Sequence, residues 1–264
     1  MMSKTISFAG SGNLAWHLAP ALDNAGYAVR EVYSRNPAHA EKLVERLYEA
    51  EVKASLDFST SNSEIFILAV ADEALNDVVR EIILPEEAIL IHTSGSQPLS
   101  RLSYAATPYT GVFYPLQIFD KRRSIDFRDV PVFIETERDE VEEELLGMGK
   151  AISRIVKSVD ARERKALHVA SVFASQFISH MLDCARKISE QHELSFEWLT
   201  PLIAESVNRN LAIGIESVQG GPANLADFET LDQHMDFLKS DARLAELYRA
   251  VSQHIIDESF NKED

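Results

Sequence analysis

The stretch Ala9-Gly10-Ser11-Gly12-Asn13-Leu14-Ala15 follows a short apolar run, Lys4–Ala9, and opens a segment of helical periodicity from Asn13 to about Asn24. A glycine turn between a strand and a helix is the context that a dinucleotide fingerprint requires. Gly10 permits the tight turn and Gly12 lets the backbone approach a pyrophosphate. A small third residue, here Ala15, lets helix and strand pack closely. The helix start, Ser11, Gly12, Asn13 and Leu14, then offers free N–H groups and a positive dipole end to phosphates. The alternative for the same residues is a structural turn in a domain that has lost its ligand.

Outward from that turn the chain alternates strands and helices. Gly26 stands where a glycine ends a helix, and Ala28–Tyr33 reads as a second strand. It ends in Ser34-Arg35-Asn36, with no acid at the tip; Glu31 comes too early. A free ribose 2′-hydroxyl selects an acid there and a 2′-phosphate selects an arginine. Ser34 and Arg35 therefore favour NADP over NAD, unless Arg35 is merely solvated. Pro37 starts a helix that continues over Ala38–Tyr48. Ile65–Val70 is wholly apolar, the pattern of a strand covered on both faces. A helix over Asp72–Leu84 follows, then strands at Ala88–His92 and Gly111–Tyr114. Val132–Glu135 and Ile152–Val156 flank an acidic helix near Asp139–Lys150. This order predicts an α/β, Rossmann-like doubly wound sheet over residues 1–157.

After Ser158 no strand is expected. Ala161–Glu190, Phe196–Val218 and Leu225–Ser259 read as helices, broken by Gln219-Gly220-Gly221-Pro222, with a frayed end at Asn261–Asp264. Residues 158–264 thus form an all-α C-terminal domain, for substrate and for dimerisation. Its apolar helices are too many to bury in about 100 residues, a size at which single cores are modest, so a homodimer is expected.

Composition excludes several classes. The 264 residues carry 42 acidic and 26 basic side chains, a formal charge of −16, and 45% are hydrophobic. That is globular composition, and the acidic balance argues against a nucleic-acid partner. Ile65–Ala71 is the longest apolar run, far short of the roughly 18–20 residues of a membrane span, and the N-terminus does not read as a signal peptide. A single cysteine, Cys184, excludes an internal disulfide, reads as helix packing, and fits a cytoplasmic protein. The eight histidines form no ligand cluster, so no metal is expected.

Gly10–Ala15 with Ser34-Arg35-Asn36 resembles the pyrroline-5-carboxylate reductase and F420-dependent NADP oxidoreductase group. Ala69-Val70-Ala71-Asp72 resembles that group's loop beneath the cofactor, which implies cofactor contacts for Ala69 and Val70. Further along, His92-Thr93-Ser94-Gly95-Ser96, Tyr114-Pro115-Leu116-Gln117-Ile118-Phe119, Lys165-Ala166-Leu167-His168-Val169-Ala170, and Gly221-Pro222 with Asp227 and His234 narrow the match. Together they resemble a bacterial Rossmann-like family labelled NADP oxidoreductase, whose C-terminal helical domain is a domain of unknown function. The resemblance spans nearly the whole chain and implies a 6-phosphogluconate dehydrogenase-like C-terminal domain. One branch looks related to alternative ketopantoate reductases, which implies a small oxo acid as substrate. The chain departs from the family at Tyr114, often His, at Gln176, often Asn, and at Leu225-Ala226, often a basic residue and Gly.

In open α/β sheets the ligand lies beyond the carboxyl ends of the strands. Thr93, Ser94 and Gly95 end a strand there and could orient a carboxylate or carbonyl; alternatively they only cap the helix that Pro98 starts. The Tyr114 hydroxyl could donate to a substrate oxygen, or the ring could only pack. On Ala161–Glu190 a polar stripe of Lys165, His168, Ser171, Ser175 and Ser179 runs along a helix otherwise apolar nearly all round, which should be buried. His168 could protonate the oxygen or nitrogen formed as hydride arrives, and Lys165 could do the same or bind a carboxylate. Close helix packing is the competing account of that stripe. Asn208 and Arg209 lie in a mostly apolar helix, Asn208 as a further substrate contact. The expected function is an NADPH-dependent oxidoreductase reducing a small oxo acid or imine by hydride transfer. The other class is a non-catalytic NADP-binding regulatory protein.

Overall fold

The computed structural model describes residues 4–213 and 220–260. The last part of the helix expected over Phe196–Val218, the Gln219 end of the following turn, and the frayed end Asn261–Asp264 lie outside the described residues. The strands are β1 (Thr5–Ala9), β2 (Ala28–Tyr33), β3 (Glu51–Lys53), β4 (Ile65–Leu68), β5 (Ile89–His92), β6 (Thr110–Pro115), β7 (Val132–Glu135) and β8 (Val156–Ser158). They form one sheet in the order β3-β2-β1-β4-β5-β6-β7-β8. The order reverses between β1 and β4, which creates a crevice at their carboxyl ends. Every pair is parallel except β6 with β7.

Four helices accompany the sheet: α1 (Asn13–Asn24), α2 (Pro37–Val44), α3 (Asp72–Glu81) and α4 (Asp139–Ile152). The β4 residues show why they sit on both faces. Ile65 and Ile67 enter a core with Leu18 and Leu22 of α1 and Leu145 and Met148 of α4. Phe66 and Leu68 enter the opposite core, with Leu75 and Val79 of α3. Burying such side chains is worth about 1.5–3 kcal/mol each, so a one-residue slip of β4 would exchange its two sets of core contacts. Gly26 ends α1 with φ of 96°, as its position predicted.

Pro20 lies inside α1, where it cannot donate to the carbonyl of Trp16. The Arg46 guanidinium donates to that carbonyl instead and stacks over the Trp16 ring at 4.1 Å. A side chain from beyond α2 thus repairs the hydrogen bond that proline removes.

The elements differ from the sequence reading in four places. α2 stops at Val44, and the short edge strand β3 follows where nothing was expected. α3 stops at Glu81, because Ile82 is already extended. Ile152 does not open a strand; it closes α4, whose buried residues Val141, Leu145, Met148 and Ile152 keep helical spacing to the end. The strand comes later, as β8. Finally, Ala161–Glu190 is not one uniform helix: α5 (Ala161–Val172) is followed by a π-helical turn, Phe173–Phe177, and α6 (Ile178–Gln191).

The described chain divides into two compact units, one through Ala174 and one from Ser175. α5 packs with the first unit although the strands end at Ser158. The second unit holds α6, α7 (Thr200–Ile213), α8 (Phe228–Leu238) and α9 (Ala242–Phe260). Its small core gathers Ala223, Leu231 and Ile256. The expected burial of the long helix is not met in the single chain. Val169 on α5 is 49% exposed, because only a narrow stripe of α5 faces the sheet, and Met181 on α6 is 40% exposed. No helix among the described residues is long and apolar enough to cross a membrane.

Candidate nucleotide cleft and catalytic cluster

The glycine turn sits at the β1–β4 crevice. Gly10 adopts φ of 114° and donates its N–H to the Tyr33 carbonyl at 2.8 Å. A Cβ added there would lie 2.3 Å from the carbonyl oxygen of Ala69, so Ala69-Val70 crosses hard against the turn. Ser11 Oγ donates to Ser34 Oγ at 2.9 Å, which ties the turn to the β2 tip. α1 starts at Gly12 with no side-chain cap and no acid in its first turn. Its first N–H groups are therefore available to an anion. A cleft of about 740 Å³ opens between Gly10–Asn13, Ser34–Asn36 and Ala69-Val70.

The β2 tip matches this cleft chemically. Arg35 is exposed and has no ion pair among the described residues. Asn36 is committed to the backbone, its side chain accepting Ala38 N–H as the cap of α2. Glu31 is committed elsewhere: Ser7 Oγ donates to it at 2.8 Å and Lys53 Nζ at 3.0 Å, with Ser61 as a third donor. Burial opposes its charge, but donors from Ser61, Lys53 and Ser7 hold its pKa below the usual carboxylate range. No free acid among these residues waits for a ribose hydroxyl. Leu14 packs its side chain on the core, so only its backbone faces the helix start.

A second group of residues gathers beside the crevice. β4 and β5 pair with Leu68 opposite His92, so Ala69-Val70 and Thr93–Gly95 leave the sheet side by side. Thr93 Oγ1 donates to the Leu68 carbonyl at 3.3 Å. Ser94 Oγ accepts the N–H groups of Ser96 and Gln97 and so closes the turn, while the 3₁₀ helix after Pro98, Leu99–Tyr104, has no side-chain cap. At Gly95 a Cβ would meet Tyr114 Cζ at 2.5 Å and His168 Nδ1 at 2.6 Å. The Tyr114 hydroxyl and His168 Nδ1 are hydrogen-bonded at 3.1 Å. Thus Gly95, Tyr114 and His168, from three separate elements, form one cluster. Burial raises the Tyr114 pKa, outweighing Ser171 and Arg164, so the phenol stays protonated. His92 behaves differently: burial, then the Arg164 charge, hold its pKa at about 4. It is neutral near pH 7 and accepts Ser94 N–H at 3.2 Å.

Arg164 is the residue the sequence reading missed. It is 2% exposed and pairs with Glu135 of β7 at 2.6 Å. The same guanidinium donates to the carbonyls of Ser94 at 3.1 Å and Gly95 at 2.8 Å. Lys165, its neighbour, is exposed. The inward stripe of α5 is therefore Arg164, Leu167, His168 and Ser171. Its phase follows from the helix start: Asp160 and Glu163 form a capping box, with N–H···O distances of 2.7 and 2.9 Å. That signature stands in the sequence as Asp-x-x-Glu. Lys121 was also missed. From the β6–β7 loop, its Nζ donates to the Ser11 carbonyl at 2.8 Å and lines the nucleotide cleft.

In the second unit Asn208 is exposed on α7. Asp227 caps α8, accepting Thr230 N–H at 3.1 Å, and His234 Nδ1 meets the Tyr248 hydroxyl at 2.7 Å.

Comparison with known proteins bears on the same regions. The sequence profile of the family described as NADP oxidoreductase, coenzyme F420-dependent, matches residues 5–95, and that of a domain of unknown function matches residues 130–255. No curated protein matches. A Bacteroides fragilis protein assigned as an NADP oxidoreductase is 32% identical over 97% of this chain and 99% of its own, with a TM-score of 0.86. A Thermotoga maritima protein is 16% identical over 98% and 100% of the two chains, with a TM-score of 0.74. A reductive aminase from Aspergillus terreus, solved with NADPH and ethyl levulinate, is 13% identical over 97% and 94%, with a TM-score of 0.72. The last two share the fold. The glycine turn, the uncapped α1 and the end-to-end match with the Bacteroides protein lead to one conclusion: the chain belongs to the family of NADP oxidoreductases that joins an NADP-binding Rossmann-like domain to this C-terminal domain of unknown function.

Proposed function

We propose that this protein uses NADPH to reduce the C=O or C=N carbon of a small oxo acid or imine. The observation that carries the reading is the Tyr114–His168 pair packed on Gly95, one strand away from the Ala69-Val70 crossing. When bound, NADPH supplies the hydride, and the protein must supply a proton and orientation. His168 delivers that proton to the oxygen or nitrogen. Tyr114, protonated at neutral pH, holds the imidazole ring and faces the substrate. Thr93 and Ser94 shape the floor of the site, and Lys165, one turn from His168 on α5, attracts a substrate carboxylate. The turn Ser11–Leu14 binds the pyrophosphate, and Ser34 and Arg35 bind the 2′-phosphate. The aminase that shares the fold was solved with NADPH, which agrees with this cofactor.

Fluorescence titration with NADPH and NADH tests the cofactor reading. NADPH binds the tighter, and Arg35→Ala weakens NADPH roughly 10- to 100-fold, the range of a charge-assisted hydrogen bond, while NADH is unchanged. Equal affinities for the two would discard the role of Arg35. Oxidation of NADPH against a panel of oxo acids and imines tests the chemistry. With a substrate that turns over, His168→Gln lowers kcat about 10²- to 10⁴-fold and leaves NADPH binding unchanged. NADPH binding without turnover of any panel member favours the regulatory reading.

The protein is also proposed to pair with a second copy through the second unit. Leu202 is 63%, Val207 44% and Leu211 82% exposed on α7, more apolar surface than a lone helix leaves in water. Sedimentation at micromolar concentration is expected to show twice the chain mass; a species of single-chain mass would remove the dimer.

A further inference from the structure

The structure assigns to this protein a second anion site beside the nucleotide cleft, with which it shares Lys121: a cationic cleft along α1 that takes a small phosphate-bearing molecule. The chain carries 42 acidic and 26 basic side chains, yet the eight residues Lys121–Arg128 hold four cations and one acid. These residues, with Trp16 and Arg46 on one side and Ile152 on the other, border a cleft of about 570 Å³. That is ample for a phosphorylated metabolite.

Most of these cations are not paired with an acid, although Lys121 donates to the Ser11 carbonyl and Arg46 to the Trp16 carbonyl. Only Arg122 has an ion pair, with Asp120 at 2.6 Å. Among the described residues Lys121, Arg123, Arg128 and Arg46 have none. The one acid in the run, Asp126, accepts Arg128 N–H at 3.0 Å as the cap of the short 3₁₀ turn Phe127–Asp129. Burial, and then the Lys42 ammonium, lower the Lys121 pKa. The loop is nonetheless held in place. His17 Nε2 lies 3.0 Å from the Asp120 carbonyl, and Phe119 stacks on Phe127 at 5.8 Å. Like charges fixed together in an acidic protein are stabilised when an anion sits among them. Guanidinium forks match phosphate oxygens two at a time. The acidic remainder of the surface repels an extended polyanion, so the occupant is small.

Isothermal calorimetry with inorganic pyrophosphate, on the full chain at physiological ionic strength and without nucleotide, tests this site. The expected result is submillimolar binding that falls at least tenfold in Arg123→Ala/Arg128→Ala and survives in Gly12→Ala. Both exposed arginines can be removed without core loss, and an unchanged melting curve confirms it. Absence of binding, or equal binding by the double variant, overturns the site. Loss in Gly12→Ala alone also overturns it, because the anion then occupies the glycine turn of the nucleotide cleft. Since no nucleotide is present, these outcomes are independent of whether the protein prefers NADPH.

Discussion

Replacing Gly10 by alanine lowers the melting temperature by roughly 8–16 °C and abolishes NADPH binding, whereas Gly12→Ala abolishes binding with the melting temperature nearly unchanged. The two glycines sit two residues apart in one motif, but their surroundings differ. At Gly10 the backbone has φ of 114°, and a Cβ would stand 2.3 Å from the Ala69 oxygen and 2.6 Å from its carbonyl carbon. Those are backbone atoms of a neighbouring strand end, which cannot swing aside. Positive-φ strain costs about 1–3 kcal/mol, and overpacking adds about 1–3 kcal/mol. A total near 4 kcal/mol is a large share of the roughly 5–15 kcal/mol that holds a native protein together. Gly12 has φ of −70°, and its added Cβ would have only the Ala69 oxygen at 3.8 Å. Alanine fits there while the cleft is empty, but its methyl group stands where the pyrophosphate must approach the helix start. Differential scanning calorimetry paired with NADPH titration separates the two effects. A Gly10→Ala protein that melts like the wild type would show that the Ala69-Val70 crossing is looser than described.

How much of this was legible in the sequence depends on the range over which each feature is determined. The glycine turn, the Gly26 helix end and the wholly apolar Ile65–Leu68 are local signals, and each sits where its neighbours along the chain demand. The reversed direction of β7 is not local. Val132–Glu135 reads as a strand in either direction, and the long β6–β7 connection leaves the choice to tertiary packing. The Tyr114–His168 pair joins residues 54 positions apart. The strand-end loop proposes Tyr114 and the polar helical stripe proposes His168, and only folding brings them together against Gly95. A polar stripe counted through Lys165 runs one residue out of phase with the inward face of α5, which passes through Arg164. A stripe counted from apolar residues alone is ambiguous when the helix is apolar nearly all round. The Asp160–Glu163 capping box removes that ambiguity, because it fixes where the first turn begins. The cationic cleft was hidden for a different reason: a net charge averages over the surface and conceals one basic loop.

The second large effect concerns Arg164. Arg164→Met is expected to destabilise the protein by about 3–5 kcal/mol, the cost of leaving one member of a buried ion pair uncompensated. The stranded group is Glu135, 8% exposed, which loses its 2.6 Å partner. The cation also sits in the first turn of α5, where the helix dipole disfavours positive charge. Its position is therefore held by what it binds, the Glu135 carboxylate and the carbonyls of Ser94 and Gly95. Arg164→Met/Glu135→Leu removes both charges and is expected to recover most of the lost stability, since apolar pairs replace buried ion pairs at little cost. It does not restore the loop. The two carbonyls still lack donors, and Gly95 is the contact surface for Tyr114 and His168. The double variant should therefore melt near the wild type yet turn substrate over slowly, with kcat reduced more than NADPH affinity. Arg164→Lys keeps the charge but offers a single ammonium in place of a planar fork reaching three oxygens, so it should fall between the two. Thermal melts and steady-state kinetics on these three variants distinguish the roles. Full recovery of kcat in the double variant would reduce Arg164 to a stabilising ion pair, and failure of kcat alone would establish it as the residue that positions the Ser94-Gly95 turn under the Tyr114–His168 pair.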